Sequence, residues 1–179
     1  MRRLDTTTRL TVAAMSSAIG VVCLYAASIV PAIKLALMFL SSLCIWIPLN
    51  EPKGFPFALL TYIATGAISL LIIPDKLYSA AYLLFLGCFG MIKYGFDRLI
   101  PDRFVSFALK IIACDIISAL AFLLTIWILE LNIFTMIPEI PLWIIIVALQ
   151  VAFALYELLY SLCAKVFDVS FRELIVPRR

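Results

Sequence analysis

A chain of 179 residues without a single histidine lacks the commonest general base and the commonest metal ligand. Its five cysteines, Cys23, Cys44, Cys88, Cys114 and Cys163, lie far apart and form no CxxC pair. Each sits inside an apolar run, so they are expected to pack as small hydrophobes and not to hold a metal or a disulfide. There is no Walker loop, no HExxH, no GxSxG and no carboxylate-rich cluster. The acids left for covalent chemistry are Asp115, Glu130, Glu139 and Glu157. A paired-acid site built from Asp115 and Glu157 is chemically conceivable, but nothing in their spacing demands one. The chain is therefore read as non-enzymatic and free of cofactors, and any ATP-driven step would need a motor on another polypeptide.

The remaining polar residues suit binding better than catalysis. Asp115 lies within Ile111-Ile112-Ala113-Cys114-Asp115-Ile116-Ile117, where a mid-bilayer carboxylate costs about 2.5–3.5 kcal/mol on insertion scales. Lys110, five residues earlier, is too far round a helix to pair with it. Asp115 is thus a ligand contact, a proton relay or a subunit contact, or else a structural hydrogen bond between helices. Glu157 reads as a structural or partner-facing polar contact. Lys34 and Lys76 stand at the amino-terminal ends of two apolar runs, where helix amino termini and a cation together favour an anion. Tyr78, Tyr82, Trp127, Glu130, Asn132, Trp143 and Gln150 supply flat faces and polar handles for a small-molecule pocket around them. The aromatics also fit the belt common at membrane surfaces.

These residues are set in an apolar chain. Hydrophobic residues make up 65% and charged residues 14%, with a mean hydropathy of +1.16; soluble domains run at about 45–50% and about 25%. A water-soluble enzyme and a disordered chain are both excluded. Six apolar runs, at about 10–29, 33–49, 55–73, 78–96, 104–131 and 142–167, approach or exceed the roughly 20 residues that cross a bilayer. They lack the alternation of barrel strands. Proline and short polar clusters separate them, and short connections imply antiparallel neighbours. The expectation is one membrane domain over residues 1–179: an all-α, compact bundle of six transmembrane helices. The first run follows a charged start like that of a signal peptide, but its length and the further runs make it a retained span.

Basic residues orient the bundle. With a cytoplasmic amino terminus, Arg2, Arg3, Arg9, Lys53, Lys93, Arg98, Arg103, Lys110, Lys165, Arg172, Arg178 and Arg179 fall inside, and only Lys34 and Lys76 fall outside. Both termini are then cytoplasmic, in a multi-pass protein of the cell membrane. A net charge of +3 is too weak and dispersed to argue for nucleic acid. In the first run, Ala14 and Ala18 stand four apart with Ser17 beside them, a flat strip that lets another helix approach closely. Gly66, Gly87 and Gly90 are expected to be further points of close packing.

This combination resembles the substrate-binding S-components of energy-coupling factor (ECF) transporters. The likeness rests on size, span count and the stretch Thr8-Arg9-Leu10-Thr11-Val12-Ala13-Ala14-Met15-Ser16-Ser17-Ala18. The resemblance implies that Ala14, Ser17 and Ala18 face a transmembrane coupling subunit driven by two ATPases. It also implies that a small metabolite or vitamin is captured in an outward pocket and delivered inward. The alternative is a membrane interaction or assembly protein with no small-molecule ligand.

Overall fold

The computed structural model describes residues 6–51, 53–129 and 142–175, and all of its regular structure is helical. Helix α1 spans Thr6–Ile29, and a single 3-10 turn at Pro31–Ile33 leads into α2, Lys34–Cys44. Pro48 interrupts that second rod. Its ring has no N–H and crowds the carbonyl four residues back; α2 accordingly ends at Cys44, and a short α3 follows at Trp46–Leu49. Gly54 then closes the turn into α4, Phe55–Ile72. A Cβ on Gly54 would lie 1.9 Å from the Pro48 carbonyl oxygen, so no other residue fits there. Helix α5, Lys76–Ala81, runs into a π-helical segment at Tyr82–Leu86 and on into α6, Gly87–Leu99. Two long rods complete the chain, α7 at Arg103–Leu129 and α8 at Leu142–Ile175.

Among the described residues, five segments are long and apolar enough to cross a membrane: Thr6–Ile29, Pro31–Leu49, Phe55–Ile72, Tyr78–Leu99 and Val147–Phe167. At 1.5 Å per residue the 24 residues of α1 reach about 36 Å, against a hydrocarbon core of about 30 Å. Helix α7 adds a further rod of 27 residues. Large apolar side chains stand outward along these helices, including Met15, Val22, Leu71, Phe104 and Val166. In water that surface would drive aggregation, so it is compatible with a membrane protein.

Association between apolar rods in lipid gains little from the hydrophobic effect and depends on close packing and hydrogen bonds. Both are present. The inner face of α1 carries Ala13, Ser16, Ser17 and Gly20. The Ser41 hydroxyl of α2 donates to the Gly20 carbonyl at 3.0 Å, and Thr61 of α4 donates to the Ala13 carbonyl at 3.3 Å. Thr65 of α4 donates to the Ser17 hydroxyl at 3.1 Å. Glycines on α4 and α6 bring side chains against bare backbone: Leu83 over Gly66, the Tyr62 ring over Gly87 and the Tyr160 hydroxyl over Gly90.

A second core is aromatic. Phe153, Tyr156 and Tyr160 of α8 pack edge-on against Phe85, Phe89, Phe39 and Trp46. Tyr156 donates to the Ser42 hydroxyl at 2.9 Å, and Ser42 donates onward to the Leu86 carbonyl at 2.6 Å. The π segment withdraws backbone carbonyls from the ordinary ladder, and neighbours satisfy them. Tyr62 donates to the Leu83 carbonyl at 2.7 Å, as Ser42 does to Leu86.

Candidate functional site

Three groups of polar or small residues stand out, and the helices that hold them differ. The first lies where α6, α7 and α8 meet. The Lys110 ammonium sits 2.8 Å from Glu157 Oε1 and also donates to Asp97. Lys93 lies 3.2 Å from Asp97 and 3.7 Å from Glu157, and donates to Ser161 at 2.8 Å. The Ser106 hydroxyl donates to Asp97 at 3.1 Å. Lys93, Lys110 and Glu157 are buried while Asp97 is exposed, so the group is sealed from the bundle side and open at one edge. Two ammonium and two carboxylate groups cancel. The arrangement fixes three helices to one another and leaves no net charge for an external ligand. Sequence reasoning placed Lys93 and Lys110 among dispersed cations and missed this group. The available signal was Lys93 four residues before Asp97 on one helix, with Lys110 seven residues inside the next.

The second group is the cross-helix pair of Asp115 on α7 and Gln150 on α8. The Gln150 amide nitrogen lies 2.8 Å from each carboxylate oxygen. Both side chains are half-buried. Sequence reasoning assigned Gln150 to the outer cluster and left Asp115 between a functional contact and a structural hydrogen bond to another helix; the fold brings the two together in such a bond.

The third is a groove on α1 and α4. The small residues of α1 divide between two faces. Ala13, Ser16, Ser17 and Gly20 turn inward, whereas Ala14 and Ala18 are exposed. Together with Leu10, and with Leu60, Ala64 and Ile68 of α4, the outer alanines line a shallow apolar groove of about 320 Å³. Ser17 lies at its floor, its hydroxyl already engaged by Thr65.

The outer cluster read from sequence is brought together only in part. Tyr82 is fully buried beside Tyr62, with ring centroids 6.2 Å apart, and Tyr78 packs against the same core. Lys34 is exposed. Lys76 is turned back on its own chain, donating to the Leu70 and Ile73 carbonyls at the end of α4. Its ammonium therefore closes a helix end, a role it shares with many cations placed after a helix. Trp143 is exposed at the start of α8, and Trp127 lies near the end of α7. Glu130 and Asn132, like Glu139, lie outside the described residues. The five cysteines are free thiols, and among the described residues no group of histidine, cysteine or acidic side chains has the make-up of a metal site.

Comparison of the chain with family models, with curated proteins and with solved structures gives no match.

Proposed function

We propose that this chain is the substrate-binding membrane subunit of an ECF-type importer, working with a separate transmembrane coupling subunit and two ATPases. In this reading α7 is the sixth span, both termini are cytoplasmic, and the protein is a multi-pass component of the cell membrane. It performs no covalent chemistry itself. It captures a small metabolite or vitamin outside and hands it inward.

The observation that carries the reading is the division of small residues on α1. Packing within the bundle uses Ala13, Ser16, Ser17 and Gly20, and leaves Ala14 and Ala18 facing outward in an apolar groove. A lipid-facing helix has no need of small residues there, because lipid tails fill space beside leucine as well as beside alanine. A partner helix does gain, through closer backbone approach and more van der Waals contact. The occupant proposed for the groove is a helix of the coupling subunit.

The test is co-purification of the tagged chain from its host membranes. A multi-span subunit and ATPases are expected to accompany the wild type, and Ala14→Trp or Ala18→Trp to lose them without unfolding the bundle. A chain that purifies alone, or with partners that both tryptophans leave in place, would refute the proposal. The competing reading, an assembly protein without a ligand, draws on Lys76 being committed to its own helix end. Partners retained in purified material from which mass spectrometry releases no metabolite would favour it.

A further inference from the structure

Helix α7 is held to the bundle in a different way from its neighbours. Among its described side chains the buried ones are Ser106, Lys110 and Cys114, one on each successive turn of a single face. Phe104, Ile112, Ile116 and Leu120 stand outward, and Ile111 and Ile117 are only half-buried. By contrast α8 buries Phe153 and Tyr160, and α6 buries Phe89. The ties of α7 are therefore mainly polar. Ser106 and Lys110 donate to Asp97 of α6, Lys110 also donates to Glu157 of α8, and Asp115 accepts from Gln150 of α8.

Ties of this kind fix a position without holding it deeply. Outward apolar side chains lose little when a helix moves through lipid, and a buried ion group is close to neutral against apolar residues of the same volume. Two features lower the cost of opening this one. Asp97 is exposed, so water at that edge can solvate it as its cations leave. Glu157 Oε2 is buried with no hydrogen-bond donor, so the closed arrangement leaves one carboxylate oxygen unsatisfied. Water entering at the Asp97 edge supplies the donor that the closed junction does not.

We infer that α7 is a detachable helix, a lateral gate in the bundle. Lys93, Asp97, Lys110 and Glu157 are its ionic latch, and release of the latch swings the first half of α7 off α6 and α8. The gate lies apart from the groove on α1 and α4, and its release does not depend on the importer reading.

The chain's own thiols test this. Cys114, one turn beyond Lys110 on the same face, is 1% exposed, against 6% for Cys44 on α2 and 8% for Cys23 on α1. A rigid bundle therefore protects Cys114 best. The full chain in lipid nanodiscs is treated with a trimethylammonium methanethiosulfonate, a reagent that stays in water, and each thiol is followed by mass spectrometry. Release of α7 reverses the order: Cys114 is expected to react about tenfold faster than Cys23 and Cys44, through a local opening that leaves the rest of the bundle folded. Asp97→Asn should speed Cys114 several-fold more and leave the other two unchanged, while Asp97→Glu keeps the wild-type rate. A Cys114 that reacts no faster than Cys23 and Cys44 overturns the latch. It is overturned equally if Asp97→Asn leaves Cys114 unchanged, because the charges then do not hold α7. Acceleration of all three thiols together in Asp97→Asn also overturns it, because the charges then hold the whole bundle and not one helix.

Discussion

Lys110 shows how much a single side chain contributes when it is taken out of water. Its ammonium is buried and holds carboxylates from α6 and α8 at once. Removing Lys110 leaves two carboxylates to share the single ammonium of Lys93, and breaking such a buried pair costs about 3–5 kcal/mol. Lys110→Met should therefore destabilise the bundle by roughly that amount. Replacing both partners, as in Lys110→Met with Glu157→Leu, should recover most of the loss, because an apolar pair of similar volume is close to neutral. Equilibrium unfolding of the two variants in mixed micelles reads the difference directly. A double variant no more stable than the single one would mean that the ion pair itself, and not relief from an orphaned charge, sets the stability. Tyr62 offers a smaller case. Tyr62→Phe removes the main donor to the Leu83 carbonyl and leaves it only the weaker Cys88 thiol at 3.5 Å, so the expected cost is about 1 kcal/mol.

At the scale of elements, the π segment at Tyr82–Leu86 couples three helices. Its carbonyls accept from α4 through Tyr62 and from α2 through Ser42, and Ser42 in turn accepts from Tyr156 of α8. The same helix carries Gly87, where a Cβ would approach the Tyr62 ring to 2.6 Å and the Tyr82 carbonyl to 3.0 Å. Rings and backbone yield less readily than the end of an aliphatic chain. Gly87→Ala is thus expected to overpack this seam by about 1–3 kcal/mol. Gly66→Ala meets Cγ and the methyls of Leu83, an aliphatic side chain that can turn aside, and should cost less. A thermal-shift comparison ranks the pair, and the reverse order would contradict the packing described. Gly95 has nothing within contact distance of a Cβ, so Gly95→Ala serves as the control.

At the scale of the whole molecule, the two faces of α1 divide its labour. The inner face accepts hydrogen bonds from α2 and α4 at the Gly20 and Ala13 carbonyls and the Ser17 hydroxyl, while the outer alanines line the apolar groove. Ser17→Leu would strike the fold, whereas Ala14→Trp would strike only a partner. Detergent-stable monomer yield should therefore drop for the first and stay unchanged for the second. The proposed topology carries its own expectation. Compartment reporters fused to the two ends should both read cytoplasmic, and a split reading would undo the sixth span and the sidedness of every loop.

Composition and run length were enough to establish an all-helical, apolar chain, since bilayer-length runs of Leu, Ile, Val and Phe admit few other solutions. Proline marked several breaks: Pro31 opens the 3-10 turn between α1 and α2 and Pro74 falls between α4 and α5, whereas the interruption ahead of Pro48, which lies within α3, falls inside a run expected to be continuous. The span boundaries near residues 29, 72 and 99 were legible for the same reason. Partnerships were not. Nothing local says that Glu157 meets Lys110 across 47 positions, that Gln150 turns to Asp115, or that Lys76 folds back onto α4. The strip on α1 was visible as a spacing of four, but the side facing the bundle depends on where α2 and α4 lie around the helix. The sequence determined the material of each rod by its solvent. The tertiary structure decided which polar groups cancel and which are left over, because a buried charge is satisfied only by whatever another helix brings to it in space.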